Sequence, residues 1–318
     1  MKILEDILSS GLIAQRDRVL LAVSGGSDSM AMLHIFTQLQ KELEVTLAVA
    51  HLNHSIRGKR ADRDSHLVKK TAEHYGLTCH IKKADVPQLA KTKKLSLEDA
   101  ARIARYTFFQ ELCQKHGYNK LALAHTSNDN TETIIMKLLR GTGLKGLRGI
   151  APTRPLTKGT VLVRPLLSFS KQDLYNYCRS HKLKWHEDQT NTCTDHVRND
   201  IRKNIMPKLF KMNPNLDQTL LGMGTVLKAE DTYLDEAATD ILNKVIQKSA
   251  DNGIRLDIKQ LKTSPLAIQR RVIRLAMEKV QGDLQDIYLP FIENFLDNNL
   301  TTITCDKTGS LKVSKERL

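Results

Sequence analysis

Short apolar runs alternate with helix-like segments along the first 150 residues. The longest helical pattern covers Leu97–His116, with Ser96 as its N-cap and Asp99 three residues later. Apolar strands separated by helices are typical of a parallel sheet covered on both faces. We therefore predict an α/β fold, an open parallel five-stranded sheet with helices on both faces. Its strands are Val19–Ser24, Val45–Leu52, Leu77–Lys83, Leu121–Ala124 and Val161–Leu167.

The pattern changes after residue 150 and suggests two domains. Gly141–Gly149 has four glycines in nine residues, and helical periodicity dominates from Ser168. We predict a catalytic domain over residues 1–215 and a mostly α-helical, substrate-binding domain over residues 216–318. Alternation over Thr301–Val313 predicts a strand or hairpin in the tail.

The net positive charge lies in the first two thirds of the chain. The net charge is +14, and residues 1–215 hold 35 Lys and Arg against 20 Asp and Glu. The remaining residues hold 14 and 15, which is near neutrality. This basic excess favours a polyanionic partner such as a nucleic acid.

A glycine-serine segment links the first predicted strand to the next helix. Its glycines permit close approach of the backbone to an anion, and the helix start offers free N–H groups to a phosphate. An aspartate in such a cradle fits a Mg²⁺ ion between carboxylate and phosphate. We therefore predict a nucleotide phosphate site, with Asp28 as the metal ligand. The segment consists of Ser24, Gly25, Gly26, Ser27, Asp28 and Ser29.

Further polar motifs follow the other strands, at the edge where open α/β sheets bind ligands. They are HLNHSIR with His51 and Asn53, EDAARIARY with Arg102 and Arg105, LALAHTSNDNTET with His125, Asp129 and Glu132, RGTGLKGL with Arg140 and Lys145, and WHEDQTN followed by RNDIR with Arg198 and Arg202.

The loop resembles the PP-loop of the N-type ATP pyrophosphatases, and the motifs in their order resemble the tRNA(Ile)-lysidine synthetases. That resemblance implies an enzyme using ATP, Mg²⁺, free L-lysine and a tRNA(Ile) with a CAU anticodon. ATP adenylates O2 of cytidine 34, and lysine then attacks C2 and displaces AMP. The tRNA thereby reads AUA instead of AUG. Because we recognise no targeting segment, we expect a cytoplasmic protein. Relatives of this family are often homodimers.

The same resemblance assigns roles to individual residues. His51 and Asn53 join the phosphate loop in binding ATP, and Asp28 organises Mg²⁺. His125 and Asp129 position the lysine and handle its proton, while Glu132 pairs with its ammonium. The remaining basic residues hold phosphates of ATP or RNA, and three of them, Arg105, Arg198 and Arg202, also stabilise developing charge. These residues are Arg102, Arg105, Arg140, Lys145, Arg198 and Arg202.

The sequence departs from the family pattern at the fourth strand end. Family members commonly have His-His-x-Asp-Asp-Gln where this chain has His125-Thr126-Ser127-Asn128-Asp129-Asn130. Many relatives also carry a further C-terminal domain, which we do not expect after Val313.

Three other functions share parts of this pattern. A PP-loop tRNA thiolase usually needs paired cysteines, and the five cysteines include no CxxC motif. An amidotransferase-linked synthetase would leave the basic region unexplained, and a non-catalytic RNA-binding protein would retain only the nucleotide pocket. We expect neither a membrane span nor a signal peptide, because long apolar runs and a small-residue cleavage site are missing.

Overall fold

A six-stranded sheet forms the centre of the first of two structural units. The computed structural model describes residues 2–55, 59–186, 196–250, 253–281, 289–298, 300–305 and 311–315. The chain divides into units covering Met1–Thr225 and Val226–Leu318. The strands of the first unit are β1 (Arg18–Ala22), β2 (Thr46–Asn53), β3 (Thr78–Lys83), β4 (Lys120–Leu123), β5 (Thr153–Thr157) and β6 (Thr160–Val163).

The strand order is β3-β2-β1-β4-β6-β5, and every pairing is parallel except that of β5 with β6. The predicted α/β class with a parallel sheet is confirmed, but the sheet has six strands rather than five. The extra strand, β5, contains Pro155 and lies at the sheet edge. Proline is tolerated at a sheet edge because it has no N–H to donate to a further strand. Its presence concealed this strand in the sequence.

Helices of the first unit cover both faces of the sheet. Residues alternating along β1 point to opposite sides: Val19 and Leu21 join one buried cluster with Phe36, while Leu20 joins another with Phe108. Burial on both faces explains the continuous apolar strands. The helices are α1 (Lys2–Ser9), α2 (Ser27–Leu39), α3 (Lys59–His74), α4 (Val86–Lys93), α5 (Leu97–His116), α6 (Ser127–Leu139), α7 (Leu144–Leu147), α8 (Lys171–Ser180), α9 (His196–Asp200) and α10 (Met206–Met212).

Two local features connect these helices to their sequence. The Ser96 side chain accepts a hydrogen bond from the Asp99 backbone N–H at 3.0 Å, which confirms the predicted cap of α5. A π-helical turn over Ile201–Ile205 joins α9 to α10. This turn keeps Arg198 and Arg202 within one continuous helical segment.

The second unit combines helices with a four-stranded antiparallel sheet of order β10-β9-β8-β7. Val272, Ile273 and Phe295 lie fully buried in its core. The predicted tail hairpin is confirmed by the pairing of β9 with β10, whereas the β7–β8 hairpin was missed. Starting with α11, which continues from the first unit, the elements are α11 (Leu216–Val245), β7 (Ile246–Ala250), β8 (Gly253–Leu256), α12 (Ile258–Leu261), α13 (Leu266–Gln281), α14 (Leu289–Asp297), β9 (Thr302–Cys305) and β10 (Leu311–Ser314). In the described parts of both units, no helix has the length and apolarity needed to cross a bilayer.

Candidate active site

The predicted phosphate loop connects β1 to α2 and is organised around the hydroxyl of Ser29. This hydroxyl accepts hydrogen bonds from the backbone N–H groups of Ser24 at 3.1 Å and Gly25 at 3.2 Å. It also lies 3.0 Å from the Gly26 carbonyl, to which it donates. Gly25 has φ +100°, a conformation that favours glycine. Gly26 caps α2 without a side-chain hydrogen bond, so backbone N–H groups at the helix start are left for an anion.

His186, which is remote in sequence, is hydrogen-bonded to the loop. The backbone N–H of His186 donates to the Gly25 carbonyl at 3.0 Å. The His186 ring nitrogen Nδ1 lies 2.7 Å from Asp64 Oδ1 on α3. The sequence did not predict this contact between His186 and the loop. His186 is the second residue of the motif WHEDQTN, and residues 187–191 of that motif lie outside the described ranges.

His51 and Asn53 lie near the end of β2 and are both buried. His51 Nδ1 donates to the Val23 carbonyl at 2.8 Å, while its Nε2 is buried without a partner. Burial lowers the pKa of His51, against the Val23 hydrogen bond and the charge of Asp64, and so favours the neutral ring. Asn53 Nδ2 donates to Asp62 Oδ1 at 3.0 Å, and its Oδ1 accepts from the Ser55 N–H at 2.9 Å. In this structure Asn53 fastens the loop after β2, because both ends of its amide are occupied.

Asp129 starts α6 and is held by a capping box with Thr126. Its Oδ2 accepts from the Thr126 backbone N–H and hydroxyl, each at 2.9 Å. Its Oδ1 lies 2.9 Å from the ammonium Nζ of Lys171. Burial alone would raise the pKa of Asp129, but Lys171 and the hydrogen bonds outweigh burial and lower it to about 2. Asp129 is therefore a carboxylate at neutral pH.

Glu132 lies one turn after Asp129, and arginines surround it. Its carboxylate accepts two hydrogen bonds from Arg202, from Nε at 2.7 Å and from Nη2 at 2.8 Å. Arg198 Nε donates at 3.2 Å, and Lys171 Nζ lies 3.8 Å away. The Glu132 side chain is 3% exposed, so this is a nearly buried ion-pair network. Arg198 and Arg202, which we predicted to bind phosphates, are therefore paired with Glu132 in this structure. Glu132, which we predicted to bind the lysine ammonium, is already neutralised by cationic side chains.

Asp28 lies in the first turn of α2 and accepts a hydrogen bond from Ser27 at 3.2 Å. Burial, and then the negative charge of Asp129, raise its pKa, although Lys171 and Arg202 act in the opposite direction. Because β1 and β4 are neighbouring parallel strands, the phosphate loop after β1 and the β4–α6 motif lie at the same edge of the sheet. A carboxylate destabilised in this way is one that a cation would stabilise.

His125 follows β4 and contacts an arginine from the next strand. Arg164 Nε donates to His125 Nδ1 at 3.1 Å, and Arg164 is only 7% exposed. Burial lowers the pKa of His125 to about 4. The negative charge of Asp129 raises this pKa, and the positive charges of Arg164, Arg198 and Arg105 lower it further. Three of the predicted catalytic side chains, Asp129, Arg198 and Arg105, therefore act on His125 electrostatically.

The sequence analysis did not identify Lys171 as a site residue. It also did not explain why an asparagine occupies position 128. The Asn128 side-chain carbonyl accepts a hydrogen bond from the Lys171 backbone N–H at 2.7 Å. Asn128 therefore fixes the start of α8, from which Lys171 reaches Asp129. Asn128, which replaces the aspartate common in the family, therefore has a structural role through its side-chain amide.

Four of the six side chains predicted to contact RNA or phosphates lie on the surface of the same unit, whereas Arg198 and Arg202 are half-buried beside Glu132. Arg102, Arg105, Arg140 and Lys145 are exposed. The Arg102 guanidinium lies 5.5 Å from the centre of the Tyr106 ring, and that of Arg154 lies 4.8 Å from it. These cation–π distances give a basic aromatic surface on α5 and β5.

A family model described as a PP-loop domain matches residues 2–209. The chain belongs to the PP-loop family. The predicted phosphate loop, Ser24–Ser29, lies within the matched residues, and the relatives that the chain matches bear out the narrower resemblance. The chain is similar to the curated tRNA(Ile)-lysidine synthases of Clostridioides difficile (32% identity, 93% of this chain, 63% of the relative) and Geobacillus kaustophilus (35%, 85% and 58%). A third such relative, from Dehalococcoides mccartyi, is 34% identical over 96% of this chain and 64% of its own length.

This PP-loop chain spans about six-tenths of the length of those relatives. Among solved structures, it is similar to the U34-tRNA thiolase NcsA from Methanococcus maripaludis, which has a [4Fe-4S] cluster. The TM-score is 0.61 at 18% identity, over 71% of this chain and 78% of that one. At this identity the likeness supports the fold alone.

Proposed function

We propose that this chain ligates free lysine to C2 of cytidine 34 in a tRNA(Ile) with a CAU anticodon, at the expense of ATP. In the first step O2 of the base attacks the α-phosphate, and pyrophosphate leaves. In the second step the lysine ε-amine attacks C2, the C2–O2 bond breaks and AMP leaves. The conversion changes codon reading from AUG to AUA.

One observation carries this proposal: the PP-loop aspartate and the β4–α6 motif meet in a single charged site. Asp28 and Asp129 follow the neighbouring parallel strands β1 and β4, and Lys171, 2.9 Å from Asp129, also acts on the pKa of Asp28. A nucleotide held at the loop would therefore present its α-phosphate to a site that also contains a histidine, carboxylates and arginines. We infer lysine and tRNA(Ile) as the substrates because the curated relatives are tRNA(Ile)-lysidine synthases.

The residues at the loop suit a nucleotide with Mg²⁺. The uncapped start of α2 offers N–H groups to the β- and γ-phosphates. Asp28 would hold Mg²⁺ together with phosphate oxygens, because Mg²⁺ commonly binds through one or two carboxylates plus phosphates. The ion would neutralise charge on the departing pyrophosphate.

The lysine ammonium needs an anionic oxygen, and Asp129 is the best placed. It is ionised at neutral pH. Its nearest cation is the Lys171 ammonium, 2.9 Å away and 35% exposed, and the Arg202 guanidinium lies farther off at 3.8 Å. A substrate ammonium would compete with Lys171 for the Asp129 carboxylate. Glu132 would act mainly through Arg198 and Arg202, which it orients.

The exposed arginines and lysines of the first unit would attract the tRNA. Their contribution would weaken steeply as salt concentration rises, because phosphate contacts release counterions. Cytidine 34 lies in an anticodon loop, where leaving the base stack requires little free energy compared with a duplex. The residues 216–318 would add a helical tRNA-binding domain.

The direct experiment is mass spectrometry of tRNA(Ile) after incubation with the protein, ATP, Mg²⁺ and isotopically labelled lysine. We expect labelled lysine on nucleotide 34, and pyrophosphate release that requires lysine and tRNA together. The Asp28→Asn variant should lose turnover while retaining tRNA binding. Asp240→Asn, at an exposed position on α11, is the matched control and should retain both.

Two other outcomes would replace this proposal. Sulfur on a tRNA base would indicate a thiolase, and tRNA binding without pyrophosphate release in any mixture would indicate a binding protein. An unlabelled nucleotide 34 in folded protein would remove the lysidine assignment.

A further inference from the structure

Arg164 is a buried cation for which the described residues provide no carboxylate partner. It follows β6 directly, with 7% of its surface exposed. Its Nη1 donates to the Ala151 carbonyl at 2.5 Å, and its Nε donates to His125 Nδ1 at 3.1 Å. Tyr106 is near enough to favour the charged form of the guanidinium. A buried charge held in this way needs a reason other than an ion pair.

The contact with His125 fixes the proton of the imidazole. A guanidinium has only donors, so His125 Nδ1 must accept and must carry a lone pair. The proton of the neutral ring therefore lies on Nε2. Among the described residues no hydrogen-bond partner of Nε2 is found, so within that part of the chain its N–H is left to donate to a ligand.

The charges around His125 favour the same neutral form. Arg105 on α5, Arg164 after β6 and Arg198 on α9 oppose a second proton, and the Asp129 carboxylate on α6 favours it. Burial adds to the effect of the arginines, so the pKa lies well below neutrality. At pH 7 a ring in this state donates through Nε2 and has no free nitrogen to accept a proton.

We propose that Arg164 is a positioning residue that holds His125 as an Nε2–H donor to an anionic phosphoryl oxygen of the reacting nucleotide. The excess of arginines around the ring favours an anionic acceptor over a neutral carbonyl. The assignment of that acceptor rests on the proposed function. In this role His125 stabilises charge during transfer to cytidine, and it does not remove the proton from the lysine ammonium.

Nitrogen NMR of histidine-labelled protein tests the tautomer without requiring any activity. The chain has 11 histidines, and the His125→Gln variant identifies the signals of His125 by their loss. We expect an unprotonated Nδ1 and a protonated Nε2 at every pH between about 5.5 and 8, far above the pKa of this ring. A protonated Nδ1, or a ring that titrates within this range, would overturn the proposal.

Substitution of Arg164 tests its part. In Arg164→Met we expect both tautomers to be populated and the pKa of His125 to rise, since the arginine charge and donor are both lost. Arg154→Met is the matched control: Arg154 stacks on Tyr106 but does not contact His125, so the His125 signals should not change. Unchanged His125 signals in folded Arg164→Met would refute the role of Arg164. If that variant does not fold, the wild-type spectrum and Arg164→Lys, which retains the charge without the planar donor pair, decide the question.

Activity then connects the tautomer to catalysis. We expect Arg164→Met to lower kcat by about 100-fold, as removal of a donor to a developing anion does, with little change in KM for ATP. Its pH profile should gain an acid limb that wild type lacks. A loss confined to KM would indicate a merely structural arginine. Absence of lysidine formation would remove the proposed function and leave the NMR result standing.

Discussion

Two aspartates of one site should respond oppositely to the same substitution. Asp28 and Asp129 are both partly or fully buried, and each can be replaced by the near-isosteric Asn. The pKa of Asp28 is raised by burial and by Asp129, so folding disfavours its charge. The pKa of Asp129 is lowered because Lys171 and hydrogen bonds outweigh burial, so folding favours its charge.

The size of the effect follows from linkage between protonation and folding. For Asp129 the pKa falls from 3.8 to about 2, a difference of about 1.8. At roughly 1.4 kcal/mol per pKa unit this corresponds to about 2.5 kcal/mol of stability at pH 7. That stabilisation is complete above pH 3.8 and fades as the pH falls towards 2. Asp28 has the opposite sign, so Asp28→Asn should leave the free energy of unfolding unchanged or raise it.

The chain contains a natural reporter for this measurement. Trp185 is the only tryptophan, and it packs against the core of the first unit. Its fluorescence in urea at pH 7, without Mg²⁺ or nucleotide, therefore follows unfolding of the unit that contains both aspartates. We expect the free energy of unfolding to fall by about 2.5 kcal/mol in Asp129→Asn and not to fall in Asp28→Asn.

Equal losses in the two variants would refute the reasoning, because burial would then dominate both sites alike. Lys171→Met provides the check on cause. In its background Asp129→Asn should lower stability by much less, since the main cation favouring the carboxylate is already gone.

Three further predictions concern packing and ionisation in the first unit, and Trp185 fluorescence in urea measures each of them. A double-mutant cycle of Glu132→Gln with Arg202→Met should give a coupling of about 2 kcal/mol, because a nearly buried carboxylate loses a bidentate partner; additive losses would contradict this. Gly149→Ala should lower the free energy of unfolding by more than about 2 kcal/mol, since φ is +75° and the methyl group would collide with a buried amide side chain. Gly117→Ala is its control, with φ +68° and open space, and should lose about 1 kcal/mol; equal losses would exclude the collision. Wild type should lose up to about 3 kcal/mol between pH 6.5 and 4 through His125, because its lowered folded pKa lets only the unfolded chain take up the proton; His125→Gln should show a shallower slope, and an identical slope would contradict it.

The sequence predicted the features that depend on local pattern. Apolar runs placed the parallel strands, and Ser96 was recognised as a cap. The loop between β1 and α2 was located because glycines and serines stood between a strand-like and a helix-like segment, and its binding of phosphate stays a prediction. The positions of His125 and Asp129 followed from the rule that ligand-binding side chains collect at the carboxyl ends of parallel strands.

The sequence did not reveal which charged groups would pair. Lys171 is the first residue of α8 and looks in the sequence like any solvated lysine, yet it lies against Asp129. Glu132 and Arg202 are 70 residues apart, and only the folded chain brings them together. Arg164 could have been found, because a charged residue directly after a buried parallel strand lies at the ligand-binding edge. The β7–β8 hairpin lacked clear alternation, and β5 was hidden by its proline.

The tether behind the phosphate loop has a consequence for how defects would be distributed along the gene. Because the carbonyl of Gly25 is held by the backbone of His186, and the His186 ring by Asp64, three segments remote in sequence share the task of keeping the turn in place. A genetic screen for poor use of nucleotide would therefore recover changes at positions 64 and 186 alongside those in the turn itself.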